Sequence, residues 1–179
     1  SLFRAPHEYA QRAAEALIEL ADPVRYRRVI FSTSGGAAND AAMKLGRQYW
    51  AQKGLASRSL IVGLKGSYHG TAYGSHALSG DDLLQSVYAV DRRSVRHVSH
   101  SDDGEELERL LQREGARVAS VVVEPVLGSG AYALSEAFVQ RLLALREEYG
   151  FLIVADEVAT GFGRTGTMLA TDRWAAAPD

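Results

Sequence analysis

Two short apolar runs restrict the fold more than any other feature. Val118 to Val123 ends in Glu124-Pro125, and Phe151 to Ala155 ends in Asp156-Glu157. Runs of this length suit strands and are too short for buried helices. Successive strand side chains point to opposite faces, so a run that is apolar throughout must be covered on both. Ser59 to Leu64 reads in the same way, and Val95 to Val98 and Val29-Ile30-Phe31 are shorter strand candidates. Between these runs the apolar spacing turns helical. The segment 7–21 places Tyr9, Ala13, Ala16, Leu17 and Leu20 on one face, and Ala37 to Lys53 is helical up to a C-terminal Gly54. Glu105 to Glu114 follows Asp102 and Asp103, either of which can cap it, and Ser135 to Tyr149 lies between a capping Ser135 and a closing Gly150. Helices alternating with doubly buried strands build a mostly parallel sheet with helices on both faces, so the expected fold class is α/β.

Composition excludes several functions. The chain has 179 residues, 46% hydrophobic and 23% charged, and a net charge of −2. No basic field invites nucleic acid, and no apolar run approaches the ~18 residues of a membrane span. Ser1 to Pro6 lacks the apolar core of a signal peptide, so a cytoplasmic location is the default. The absence of cysteine removes disulfides, thiolate metal sites and a cysteine nucleophile. Only Lys44, Lys53 and Lys65 are lysines.

In parallel sheets ligands bind beyond the carboxyl ends of the strands, and four suggestive clusters fall there. Ser34-Gly35-Gly36 opens a helix and can offer free N–H groups to an anion, or can be a simple capped turn. It is neither a Walker A loop nor a Gly-x-Gly-x-x-Gly fingerprint. Gly66-Ser67-Tyr68-His69-Gly70 can lay a ring against a flat ligand, or can be a surface loop with an incidental Tyr68. Glu124 ends a buried strand and needs a partner, for which a structural ion pair is the plain reading. Asp156-Glu157 imitates a Walker B strand end, but an ATPase would need the missing phosphate loop. An acid in that place can instead hold its charge against a protonated heterocycle nitrogen.

Together these clusters resemble the class III aminotransferases of the fold-type I pyridoxal-phosphate enzymes. The likeness runs from about Phe31 onward, and its most specific part is Asp156-Glu157-Val158-Ala159-Thr160-Gly161-Phe162-Gly163-Arg164-Thr165-Gly166. Ala159 and Gln48-Tyr49-Trp50 are most similar to the 7,8-diaminopelargonate aminotransferase branch. The resemblance implies pyridoxal 5'-phosphate as cofactor. Gly35 and Gly36 would hold its phosphate, Tyr68 would stack on the ring, Asp156 would pair with the ring nitrogen and Val158 would cover the other face. Glu124 would belong to a polar network near the substrate, with Asp156 and Glu124 as the catalytic acids, and His69 and Arg164 would be structural. It further implies a small-molecule amino donor, an oxo acceptor and a homodimer whose neighbour completes the phosphate cradle.

Three positions depart from the family's pattern: Gly36 stands where a hydroxyl is usual, Ala37 where an acid is common, and Ala159 where many members carry Gln. The family's Schiff-base lysine lies on a later strand, shortly after a Pro-Asp segment, and this chain ends in Pro178-Asp179. Residues 1–179 are therefore expected to be the N-terminal part of the cofactor-binding large domain, incomplete, inactive alone, without the lysine segment and the small domain. The alternatives are a non-catalytic scaffold of the same fold and one half of a split enzyme.

Overall fold

The computed structural model describes residues 7–179, and the hexapeptide read for a signal peptide lies outside them. The chain divides into two compact units, one ending at Ser32 and the other running from Thr33 to Asp179. In the first unit, helix α1 spans Glu8–Ala21 as its periodicity predicts, but none of its residues is buried. Asp22 follows with φ 121° and accepts the N–H of Val24 on its side chain, which turns the chain. Val29-Ile30-Phe31 forms no strand, contrary to expectation. Ile30 and Phe31 are exposed, and no ladder among the described residues receives the segment. β-propensity makes a strand only where a neighbouring strand accepts its hydrogen bonds.

The second unit is built on a four-stranded parallel sheet in the order β2-β1-β3-β6. Its strands are β1 (Leu60–Leu64), β2 (Val95–Val98), β3 (Val118–Val123) and β6 (Leu152–Ala155), all four within the runs read from sequence. The helices are α2 (Gly35–Gln52), α3 (Tyr73–Leu78), α4 (Glu105–Glu114) and α5 (Glu136–Tyr149). A two-residue pair, β4 (Val126–Leu127) against β5 (Tyr132–Ala133), and the short α3 were not legible from periodicity.

Both central strands are wholly buried, and their side chains sort by face. Leu60, Val62 and Leu64 of β1 join Leu107 and Leu111 of α4 and Phe138 and Leu142 of α5 in one core. Ile61 turns to the opposite face, with Met43 and Trp50 of α2 and Leu78 of α3. The register of β1 against β3 slips at Leu60/Ile61, and β3 shifts phase accordingly, sending Val118, Val121 and Val123 to the first core and Ala119 and Val122 to the second. Helices therefore cover both faces, as the apolar runs require.

Caps fix where the helices begin. Ser135 accepts the Phe138 N–H at 3.0 Å, and Gly150 closes α5 at φ 70°. Ahead of α4 neither Asp102 nor Asp103 holds the N-cap position, which Gly104 takes. Asp102 still accepts the N–H groups of Gly104 and Glu106 from two residues further back. Because the sheet is parallel, Leu64, Val123 and Ala155 all finish on one edge, the edge at which Tyr68, Glu124 and Asp156 follow. No helix of the described residues is long and apolar enough to cross a membrane.

Candidate functional site

A cleft of about 490 Å³ opens at this edge, and its lining includes Gly35, Gly36, Tyr68, Asp156 and Val158. Five of the six site residues expected from sequence thus converge from three separate segments. The sixth, Glu124, lines an adjoining hollow of about 380 Å³ that shares Tyr68, Asp156 and Val158 with the cleft. A larger hollow of about 770 Å³, bounded by Tyr73, His76, Leu84 and Tyr88, is lined mainly by apolar side chains, and the acid on its lining, Asp91, is paired with Arg93.

The cleft's anion end is the first turn of α2. Ser34 is extended, its Oγ accepts the Ala37 N–H at 3.1 Å and its carbonyl accepts the Ala38 N–H at 3.0 Å. That leaves the N–H groups of Gly35 and Gly36 without a partner among the described residues, at the positive end of an 18-residue helix. The anion-binding reading of Ser34-Gly35-Gly36 therefore has open donors as well as a cap. A Cβ would be a tight fit at both glycines. A Cβ on Gly35 would stand 3.0 Å from Val158 Cγ2, and one on Gly36 would stand 3.3 Å from Ser75 Oγ and 3.4 Å from Gly70 Cα.

The acid end is Asp156, which is buried at the foot of β6. Its Oδ2 accepts from Asn39 Nδ2 at 2.7 Å and from His69 Nδ1 at 2.8 Å, and its Oδ1 accepts the Val158 N–H at 3.1 Å. Burial pushes the carboxyl pKa up, but the hydrogen bonds from His69, Asn39 and Val158 outweigh it and leave the group below its ordinary value. Asp156 is therefore a fixed anion in a partly dry site, with a free lone pair on Oδ1.

Two neighbours of Asp156 carry more than the sequence reading assigned to them. His69, expected to be structural, is fully buried and donates directly to the site acid. Asn39 had no assigned role, yet its amide spans the site, giving one hydrogen to Asp156 and the other to the His69 carbonyl at 3.0 Å. The signal for Asn39 was its spacing: four residues after Gly35, on the same helix face.

Glu124 makes no ion pair among the described residues, so the plain expectation for it fails. Its Oε2 accepts the Tyr68 N–H at 2.9 Å and its Oε1 the Gly128 N–H at 3.0 Å. The carboxylate thus fastens the Tyr68 loop to the turn after β3, while the Tyr68 ring stays half-exposed along the cleft. Arg164 lies outside the cleft's lining, whereas Glu157 locks the loop beyond β6 by accepting from Thr160, Ala170 and Thr171. None of the three lysines lines the cleft. Lys65 is paired with Glu106 at 2.7 Å, Lys53 sits over the Tyr49 ring, and Lys44 is on an exposed position of α2.

The α/β sheet thus gathers open helix-end donors and a buried acid in one cleft at the carboxyl ends of its strands. The family model of class-III aminotransferases matches residues 2–179, and the chain belongs to that family. It is 32% identical to an adenosylmethionine-8-amino-7-oxononanoate aminotransferase of Synechococcus elongatus, over 97% of this chain and 44% of that protein. A transaminase from the marine bacterium Virgibacillus superposes with a TM-score of 0.92 at 32% identity, over all of this chain and 42% of that one. An amine transaminase from an uncultivated Pseudomonas species, in its PLP-bound form, superposes with a TM-score of 0.90 at 26% identity, over all of this chain and 45% of that one. The chain spans less than half the length of these relatives.

Proposed function

We propose that the protein transfers an amino group between an amine or amino acid and an oxo acid or aldehyde, with pyridoxal 5'-phosphate as cofactor. The observation that carries this reading is Asp156, held ionised by Asn39 and His69 in the cleft that the open N–H groups of Gly35 and Gly36 also line. The residues fit the group: two glycine N–H donors for a phosphate, a half-exposed aromatic ring for a planar heterocycle, and a fixed carboxylate for a ring nitrogen.

When bound, the cofactor supplies an electron sink for the pair left behind as a proton departs from the substrate carbon. Asp156 keeps a proton on the ring nitrogen, which maintains the sink at full strength. Gly35 and Gly36 bind the phosphate and fix the ring's position along the cleft. Tyr68 orients the ring by stacking and Val158 covers its other side, both sides being held by backbone bonds to Glu124 and Asp156 respectively. In this reading Glu124 is a positioning residue, because its two oxygens are engaged by backbone donors.

A homodimer, on family likeness, and a cytoplasmic location, as the default, complete the proposal. So does the division in which residues 1–179 are part of the large domain and a lysine outside them joins the cofactor. One observation favours the alternative of a non-catalytic scaffold or a split enzyme: no lysine lines this cleft. The test is a titration of the intact protein with pyridoxal phosphate, followed by assay of an amine with pyruvate. Saturable binding is expected, together with amine-dependent alanine formation that falls well over tenfold in Asp156→Asn. Binding without turnover would favour the scaffold, and absence of binding would overturn the reading.

A further inference from the structure

We propose that Asn39 decides where the proton shared by Asp156 and the cofactor ring sits, keeping it on the ring nitrogen. The inference rests on the cofactor reading above and deepens it: Asn39 acts through Asp156 and is a positioning residue. Asn39 is buried, lines the cleft and stands on the helix that opens with Gly35 and Gly36. One of its amide hydrogens goes to Asp156 Oδ2 at 2.7 Å and the other to the His69 carbonyl at 3.0 Å. Both partners are acceptors, so the amide has one allowed orientation. Turned over, its oxygen would face a carboxylate and a carbonyl. An amide does not titrate either. Asn39 is therefore a permanent donor to the acid, whereas donation from His69 depends on which ring nitrogen carries its proton.

The geometry gives the two oxygens of one carboxyl separate tasks. Oδ2 takes Asn39 and His69, and Oδ1 keeps a lone pair for the cleft beside the Val158 N–H. A proton between Oδ1 and a ring nitrogen goes to the stronger base. Every hydrogen bond donated to the carboxylate makes it a weaker one, and the bonds from His69, Asn39 and Val158 hold Asp156 below its ordinary value despite its burial. Without Asn39 the balance tilts towards burial, the carboxylate becomes the stronger base, and the proton moves from the ring towards Oδ1. A ring that has given up this proton is the poorer electron sink. Tyr68, Glu124 and Asp81 share the cleft or the adjoining hollow with Asp156, but none of them hydrogen-bonds to it among the described residues. Asn39 and His69 are thus the side chains that set its strength.

The experiment follows the ring nitrogen directly. The probe is pyridoxine 5'-phosphate labelled with ¹⁵N in the ring, which carries no aldehyde and so cannot react with a lysine. It is bound to the intact apoprotein at neutral pH and read by NMR. Its ¹⁵N resonance should lie at the protonated position in wild type, move towards the unprotonated one in Asn39→Ala, and move further in Asn39→Ala with His69→Leu. Asn39→Ser, which keeps one donor on a smaller side chain, should fall between wild type and Asn39→Ala. In a transamination assay kcat of Asn39→Ala should drop about tenfold, the size of one hydrogen bond to a charged group, with KM for the amine nearly unchanged. A fully protonated ring in both Asn39→Ala and Asn39→Ser, whatever their affinity or melting temperature, would overturn the proposal and leave Asn39 as a support of the fold. An unprotonated ring in the wild-type complex would instead overturn the pairing of Asp156 with the ring nitrogen, on which the proposed function rests.

Discussion

His69 and Asp156 are 87 residues apart in sequence, and the imidazole Nδ1 lies 2.8 Å from the carboxylate Oδ2 with both side chains out of water. The contact joins the loop after β1 to the end of β6, two strands separated in the sheet by β3. It sets the acid's orientation from behind and leaves Oδ1 turned to the cleft with only the Val158 N–H on it. In Asp156→Asn the shape is kept and the charge removed. Turnover of the intact protein should fall well over tenfold, since an amide cannot hold the ring nitrogen's proton. An unchanged rate in a steady-state transamination assay would remove Asp156 from the chemistry.

The same contact governs how Asp156 responds to acid. Burial raises its pKa, and the bonds from His69, Asn39 and Val158 bring it below the ordinary 3.8. A folded value beneath the unfolded one adds stability above the unfolded value, and the gain disappears as pH falls through the folded one. In the double variant His69→Leu with Asn39→Ala only burial and one backbone bond remain, and the folded value should rise above the ordinary one. The sign then reverses: the variant should lose at least ~2 kcal/mol at pH 7 and recover part of it on going towards pH 5. Urea unfolding at the two pH values checks this. Parallel losses for wild type and variant would show that Asp156 is not held as described.

The sheet was legible because burial on both faces leaves no choice of side chain. Val118 to Val123 and Phe151 to Ala155 could be little else than inner strands, and the parallel arrangement then put Glu124 and Asp156 on one edge. Val29-Ile30-Phe31 had the same chemistry but lacks a receiving ladder among the described residues, and a ladder is a property of the partner strand rather than of the three residues. Helix α3 escaped detection because six residues do not complete two turns of any pattern, and its start is set by a remote side chain, Asp40, accepting the N–H groups of Tyr73 and Ser75. The site's outer residues were named from motif positions. Asn39 and His69 were not assigned to it because their role depends on a distance across the fold.

Glu124 binds the Tyr68 loop through one backbone hydrogen bond, and that bond can be weakened without touching the ring. In Glu124→Gln one oxygen remains, while the new NH₂ group confronts an N–H donor. The loss should be ~1–3 kcal/mol of folding stability, with cofactor affinity lowered through a displaced Tyr68. Tyr68→Ala should instead leave stability nearly unchanged and weaken cofactor binding by ~1 kcal/mol, a stacking-sized effect. Denaturant unfolding and cofactor fluorescence titration separate the two. Identical profiles for the two variants would contradict the division between a ring that binds and an acid that places it.

Gly70 is the tightest point of the site. Its φ of 113° is outside the range that side chains readily adopt, and a Cβ there would stand 2.5 Å from Gly36 Cα and 3.2 Å from Gly36 N. Gly54 serves as an internal control, with φ 76° and nothing within 4 Å of an added Cβ. Gly54→Ala should therefore show only the left-handed backbone cost of ~1–2 kcal/mol and keep normal cofactor binding. Gly70→Ala adds a backbone-to-backbone overlap that no side-chain rotation can relieve, so it should be the more destabilising of the two. It should also force the Tyr68 loop away from α2, spreading the donors that receive the phosphate and weakening cofactor binding beyond the loss seen in Gly54→Ala. Chemical unfolding and cofactor titration of the two variants side by side give the answer. Equal losses in both measurements would mean that the loop and the helix do not meet as closely as Gly36 and Gly70 indicate.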